Sequence, residues 1–181
     1  MLEVAVTEQR LEKKQQKRKR HRVHLVKRLF IGLLLFCLLI WSGYAALSVY
    51  GQFLMDHDKI ETLQNPKAHQ GRLYIPIQDM PDYVWEAFLA VEDHRFMHHI
   101  GVDPISMARA AWTDLKAGAY VQGGSTITMQ LARNLYLTDD KTMMRKFKEI
   151  AIAFHVEREY NKKQILEMYL NYKFRRIPHP I

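Results

Sequence analysis

The sequence predicts a mainly α-helical domain carried behind a single N-terminal transmembrane helix. Three observations predict it: an uncharged apolar run of membrane length, a dense basic stretch just before it, and a succession of helix start signals after residue 80. At 181 residues the chain has room for one modest domain beside that span.

From Leu29 to Tyr50 there is no charged residue over 22 positions. At about 1.5 Å per residue this makes a helix of roughly 33 Å, enough to cross a hydrocarbon core of about 30 Å. A buried soluble helix has the same composition, but the flank argues for a span. Ten Lys and Arg residues lie between Arg10 and Arg28, against three acids, Glu3, Glu8 and Glu12, so the head carries +7 of the net +8. Such a run holds an N-terminus in the cytoplasm beside anionic headgroups. A nucleic-acid arm has similar composition, yet beside a spanning helix the membrane reading is preferred and no nucleic acid is expected. Ala46-Leu47-Ser48 resembles a signal-peptidase site, but the apolar run exceeds the usual cleaved length of about 7–15 residues. An uncleaved type II signal anchor follows, with the domain outside the cytoplasmic membrane. Cys37, the one cysteine, sits within the span, which excludes a disulfide framework and a thiolate metal site.

Residues 51–80 show no helical period and contain Pro66, Gly71 and Pro76; they read as a connector, with a short edge strand over 72–77. Pro81 suits the first turn of a helix whose stripe is Val84, Trp85, Phe88, Leu89 and Val91. Asp103-Pro104 opens a helix through about Lys116, with Ile105, Ala108 and Trp112 on one face. After Gly118 and Gly123-Gly124, Ser125 or Thr126 caps a helix to about Tyr136. Thr138 and Asp139 cap a longer one through Tyr160, with Phe147, Ile150, Ala151 and Phe154 inward. Asn161 with Gln164 three residues on forms a capping box for a last helix to Asn171.

The segment Glu92-Asp93-His94-Arg95-Phe96-Met97-His98-His99-Ile100-Gly101 concentrates ionisable groups at the end of an apolar helix. A carboxylate there can be partly desolvated, which suits it to proton transfer; a solvated polar loop would have the same composition. His94 and His98 share a helical spacing, but no third ligand stands at a telling distance, so no metal site is expected. Gly123-Gly124-Ser125-Thr126 can present amides and hydroxyls to an anion at a helix start, though most Gly-Gly pairs are turns. Arg133, Arg145 and Lys146 add positive charge. Glu149, four residues beyond Arg145, fits an ordinary helix-face ion pair.

Taken together the motifs resemble the peptidoglycan glycosyltransferases, found in class A penicillin-binding proteins and in monofunctional enzymes. Glu92-Asp93-x-x-Phe96-x-x-His99-x-Gly101 is similar to the family's first motif. Gly123-Gly124-Ser125-Thr126-Ile127-Thr128-Met129-Gln130 is similar to the second, with Met129 where glutamine is commoner. Arg145-Lys146-Phe147-Lys148-Glu149 matches the third, and Lys163-Gln164-Ile165-Leu166-Glu167-Met168-Tyr169-Leu170-Asn171 the fourth. The resemblance implies a lysozyme-like fold that polymerises lipid II into glycan strands at the membrane surface, with inversion at the donor anomeric carbon. It implies Glu92 and Glu149 as catalytic residues. It also implies substrate binding by Asp93, Phe96, His99, Gly101, Gly124, Ser125, Thr126, Thr128, Gln130, Arg133, Arg145 and Lys146. No cofactor is required; a divalent cation, magnesium, at the substrate pyrophosphate is compatible with it. Expected partners are lipid II, the growing glycan chain, the membrane, and cell-wall synthesis or division proteins.

The expected organisation is a basic cytoplasmic tail over 1–28, a signal anchor over 29–50, a connector over 51–80, a partial glycosyltransferase domain over 81–171 and an atypical tail over 172–181. The family continues into a glycine-rich fifth motif where this chain runs Tyr172 to Ile181, so truncation after the fourth motif and weakened turnover are expected. A non-catalytic protein that binds lipid II or a cell-wall partner is the alternative, and a muramidase-like lyase a third. No serine nucleophile motif of the penicillin-binding kind is present, so β-lactam acylation is not expected.

Overall fold

The structure, a computed structural model, describes residues 2–64, 74–138, 140 and 142–175. Among the described residues seven α-helices form: α1 (Leu2–Leu54), α2 (His57–Gln64), α3 (Asp82–Glu92), α4 (Pro104–Ala117), α5 (Ile127–Tyr136), α6 (Met143–Glu159) and α7 (Lys162–Arg175). Among the described residues no strand forms. The fold is therefore mainly α, as the apolar spacing and cap residues predict.

The chain divides into two compact units after Tyr44. The first contains most of α1, in which Val26–Leu54 is long and apolar enough to cross a membrane. Its side chains from Leu29 to Trp41 are exposed along the whole run, as a lipid-facing helix requires.

The second unit, from Ala45, holds the core. At its centre α5 is buried on every side from Ile127 to Ala132. Ile60 and Leu63 of α2, Phe96, Ile152 and Val156 of α6, and Ile165, Leu166, Tyr169 and Leu170 of α7 join one cluster with it. The last turns of α1 dock on α6 at Gly51, where a Cβ would run into the backbone of Ala151.

Capping chemistry sets the helix starts. The Asp103 carboxylate accepts the N–H groups of Ile105 (3.0 Å) and Ser106 (3.2 Å), and Pro104 fills the first turn of α4. Asn161 and Gln164 bond reciprocally at 2.9 and 3.0 Å, the capping box expected for α7. Gly118, at φ 63, ends α4 in the left-handed conformation.

Some expectations need correction. Residues 51–80 are not mere connector: α1 runs on to Leu54, and α2 buries Ile60 and Leu63, a period too short to stand out in sequence. Tyr74–Pro76 is extended but pairs with side chains instead of a strand (Arg72 and Leu73 lie outside the described residues). Asn171 accepts the Ile75 N–H and donates to its carbonyl, both at 2.9 Å. One turn earlier, Glu167 accepts the Ile77 N–H (2.7 Å) and the Tyr74 hydroxyl. Thr142, and not Thr138, caps α6, accepting the Arg145 N–H at 3.1 Å; Asp139 lies outside the described residues. Phe147 and Val91 are exposed, as are Ile105 and Trp112 on the apolar face of α4. The last helix reaches Arg175, with Phe174 edge-on to Phe88 at 6.0 Å and the Tyr172 hydroxyl donating to the Asn134 carbonyl. Residues 176–181 of the expected tail lie outside the described residues.

One buried group makes the fold sensitive to acid. His155 of α6 is buried, and its Nε2 has no hydrogen-bond partner. Burial pushes its pKa below the usual value, and the nearby Arg158 and His57 lower it further against the opposing pull of Glu159. The unfolded imidazole therefore binds its proton first as pH falls. The stability this group confers is fully present above about pH 6.5 and declines below it, by at most about 1.4 kcal/mol per pH unit. Melting temperature should drop between pH 7.5 and 5.5 by more in the native chain than in a His155→Gln variant; equal drops would contradict the assignment.

Candidate active site

Glu92 is the last residue of α3, because Asp93 leaves the helix at φ −160. Its side chain is exposed. Gln130 Nε2 donates to Glu92 Oε2 at 2.8 Å, and the Tyr169 hydroxyl donates to Gln130 Oε1 at 3.1 Å. Burial, and then the negative Glu92, hold the Tyr169 pKa well above the usual phenol value, so it remains a donor. One Glu92 oxygen is thus fixed and the other open. A shallow pocket of about 240 Å³, lined by Ala87, Phe88, Val91 and Glu92, lies beside it.

Asp93 points the other way, into the protein. Its Oδ2 accepts the Ile127 N–H at 3.0 Å, at the positive start of α5, and His99 Nε2 lies 3.0 Å from the same oxygen. The Thr126 hydroxyl donates to the Gly101 carbonyl at 2.6 Å and accepts the Met129 N–H. Gly101 adopts φ 87, and a Cβ there would lie 2.8 Å from the Ala153 carbonyl oxygen. Glycine is required on both counts. The loop from Asp93 to Gly101 is therefore fastened between α5 and α6, with Glu92 at its entrance.

A cationic cluster forms across the start of α5. Glu149 is 1% exposed and pairs with Arg145 Nη1 (2.9 Å) and Lys146 Nζ (3.0 Å). Lys146 Nζ also donates to Ser125 Oγ at 2.6 Å. Both Glu149 oxygens are occupied, so the carboxylate acts as a buried anchor for two cations that stay partly open to solvent. Ser125 immediately precedes the α5 cap Thr126, and Gln130 lies in the first turn and a half of that helix. One end of α5 thereby links the open Glu92 carboxylate to the cations.

Several of the residues expected at the substrate also hold this frame. Asp93, Phe96, His99, Gly101, Thr126 and Thr128 are buried, and their observed partners are protein atoms. Ile127 N–H, which could have met an anion, is taken by Asp93. At Gly124 a Cβ would lie 3.0 Å from Met107 Cα, so this glycine permits close approach to α4. Gln130 is buried and positions Glu92. Arg133 is half-buried, and its charge acts on Tyr169. Ser125, Arg145 and Lys146 remain as the polar groups grouped for an anion.

Two further residues escaped the sequence reading. Glu157 accepts from the Thr128 hydroxyl (2.6 Å) and Lys162 Nζ (2.7 Å), and Lys162 stands 4.3 Å over the Phe96 ring. They tie α5, α6, α7 and the loop together. Thr128 and Glu157 are 29 residues apart, and no local pattern announces such a pair. Among the described residues no three His, Cys, Asp or Glu side chains converge; a magnesium ion bound together with substrate phosphates usually takes only one or two carboxylates and needs no such cluster. The carboxylate at the anion cluster is already saturated by Arg145 and Lys146.

A mainly α domain with an open carboxylate at a helix end and paired cations beside a helix start is the class that fold and site define. The chain belongs to the transglycosylase family, whose profile matches residues 56–175. It is 42% identical over 162 residues to penicillin-binding protein 1A of Aquifex aeolicus, covering 81% of this chain and 21% of that protein. It is 41% identical over 160 residues to penicillin-binding protein 1F of Bacillus subtilis, covering 80% and 22%. With the monofunctional glycosyltransferase of Staphylococcus haemolyticus it shares 36% identity over 145 residues, covering 80% and 52%. The chain thus spans about a fifth of the two penicillin-binding relatives and about half of the monofunctional one.

Proposed function

We propose that the chain is a membrane-anchored peptidoglycan glycosyltransferase that joins lipid II to a growing glycan strand. The observation that carries this reading is the pairing of an open, hydrogen-bonded Glu92 with the Arg145–Lys146–Ser125 cluster through one end of α5. Glu92 takes the proton from the 4-hydroxyl of the lipid II N-acetylglucosamine. That oxygen attacks the anomeric carbon of the growing chain from the face opposite its pyrophosphate, so configuration inverts. As the glycosidic bond forms, the bond to the polyprenyl pyrophosphate breaks, and the departing oxyanion gains its negative charge beside Lys146, Arg145 and Ser125. Fixed cations are most effective where charge develops. Glu149 keeps both cations in place, and no step here runs through a metal ion.

The localisation proposed is the cell membrane, as a single-pass type II protein with the domain on the extracytoplasmic face. The basic head and the Val26–Leu54 span support it. The exposed α4 face, Ile105, Trp112 and Leu115, supplies apolar surface for a site that must work on a lipid-linked substrate. Cell-wall synthesis or division proteins are the proposed partners.

Incubating the full chain with lipid II in detergent micelles, and resolving products by size, tests this reading. Lys146→Ala should lower polymerisation on the order of 10²-fold, the usual effect of one lost charge-stabilising donor. Lipid II binding with no polymer from the native chain would favour the non-catalytic alternative, and cleavage of preformed glycan the lyase.

A further inference from the structure

We propose that Asp114 is a positioning residue of the site: its carboxylate clasps the segment between α4 and α5 so that Ser125 stays at the cationic cluster. The inference deepens the glycosyltransferase reading and rests on it. An acid is out of place where Asp114 stands. It lies in the last turn of α4, at the negative end of the helix dipole, where an anion is unfavourable. Its Oδ1 accepts two consecutive backbone N–H groups, those of Val121 and Gln122, each at 2.8 Å. Successive amides converging on one oxygen form an anion-binding nest, and here the chain fills it with its own carboxylate.

The rest of the segment shows what the clasp does. Gly118 turns the chain back at the end of α4, and residues 120–126 form no regular structure. Among the described residues, 119–124 make no backbone–backbone hydrogen bond. The segment instead returns along α4, with Val121 and Gln122 at Asp114 and Gly124 against Met107 and Ala110. Ser125 follows at once. Its Oγ accepts from Lys146 Nζ at 2.6 Å, which leaves its own O–H to donate to a phosphoryl oxygen. Thr126 is fixed in turn by the Gly101 carbonyl and the Met129 N–H. Between the clasp and that cap stand Gly123, Gly124 and Ser125. A Cβ at Gly123 would meet nothing within 4 Å, so no packing restrains it. Glycine has more backbone freedom to lose than any other residue. With the Asp114 side unpinned, the Gly-Gly pair swings and Ser125 leaves Lys146.

The test measures kcat and KM for lipid II polymerisation by the full chain, with a thermal melt of each preparation. The variants are Asp114→Ala, Asp114→Asn, Ser125→Ala and the Asp114→Ala/Ser125→Ala pair. Misplacing a group by about 1 Å costs up to the order of 10²-fold, so Asp114→Ala should lower kcat by about 10-fold or more. KM and melting temperature should stay near the native values, because Ser125 acts on charge that develops as the bond breaks. Asp114→Asn keeps an Oδ1 acceptor for both amides and should restore most of the rate. Residues that act as one unit are not additive, so in the Ser125→Ala background Asp114→Ala should cost less than about two-fold. Additive losses, or equal losses in Asp114→Ala and Asp114→Asn, overturn the proposal. So does a large fall in melting temperature with Asp114→Ala, which marks a structural clasp alone. Faster turnover in that variant also overturns it, since the substrate would then be using the two amides. A native chain that polymerises, with kcat of Asp114→Ala within about two-fold of it, sinks the proposal and leaves the glycosyltransferase reading standing. No polymer from the native chain sinks both.

Discussion

Glu92→Gln is expected to abolish glycan polymerisation while leaving the fold unchanged. The substitution keeps size and a carbonyl oxygen for the Gln130 amide, which donates to Glu92 at 2.8 Å, but removes the basic site. General-base catalysis contributes about 10²–10⁴ in rate, so the loss should fall in that range. The side chain is exposed, and surface substitutions of this kind move stability by no more than about 0.5 kcal/mol. Product gels and a thermal melt on the same preparation measure both quantities. Polymer formation within two-fold of the native chain would remove Glu92 as the base.

The adjacent residue should behave in the opposite way. Asp93→Ala takes a buried carboxylate from two donors, the Ile127 N–H at 3.0 Å and His99 Nε2 at 3.0 Å. Each orphaned buried donor costs about 1–3 kcal/mol, so a loss of roughly 3 kcal/mol is expected, on the order of 10 °C in melting temperature for a unit of this size. Asp93→Asn keeps one acceptor oxygen and should lose less. Chemical denaturation of the three chains would establish the order. An Asp93→Ala chain as stable as the native one would mean that the carboxylate does not hold the start of α5.

This contrast between neighbours was hidden in the sequence. Glu92 and Asp93 are both acids in one motif, and their chemistry alone made either a candidate for substrate. The turn of the backbone at Asp93 sends one side chain outward and the other inward. The same holds for Glu149, whose spacing from Arg145 suggested a routine helix-face pair. In the fold it is buried and holds a second cation, Lys146, which reaches across to Ser125, 21 residues away in the chain.

Local chemistry was legible because its causes are local. The Asp103-Pro104 start, the Asn161–Gln164 box, the Thr126 cap and the uncharged 22-residue run each depend on side chains within a few positions of one another. The motif order likewise identified the family, since it is a property of the linear chain. What only the tertiary structure decided were the long-range pairings: Asn171 and Glu167 on the 74–77 segment, Glu157 on Thr128, Gly51 on Ala151 and Gln130 on Glu92. These depend on where helices stop and which faces meet. Burial energies summed over the whole core set that outcome, and no window of sequence contains it.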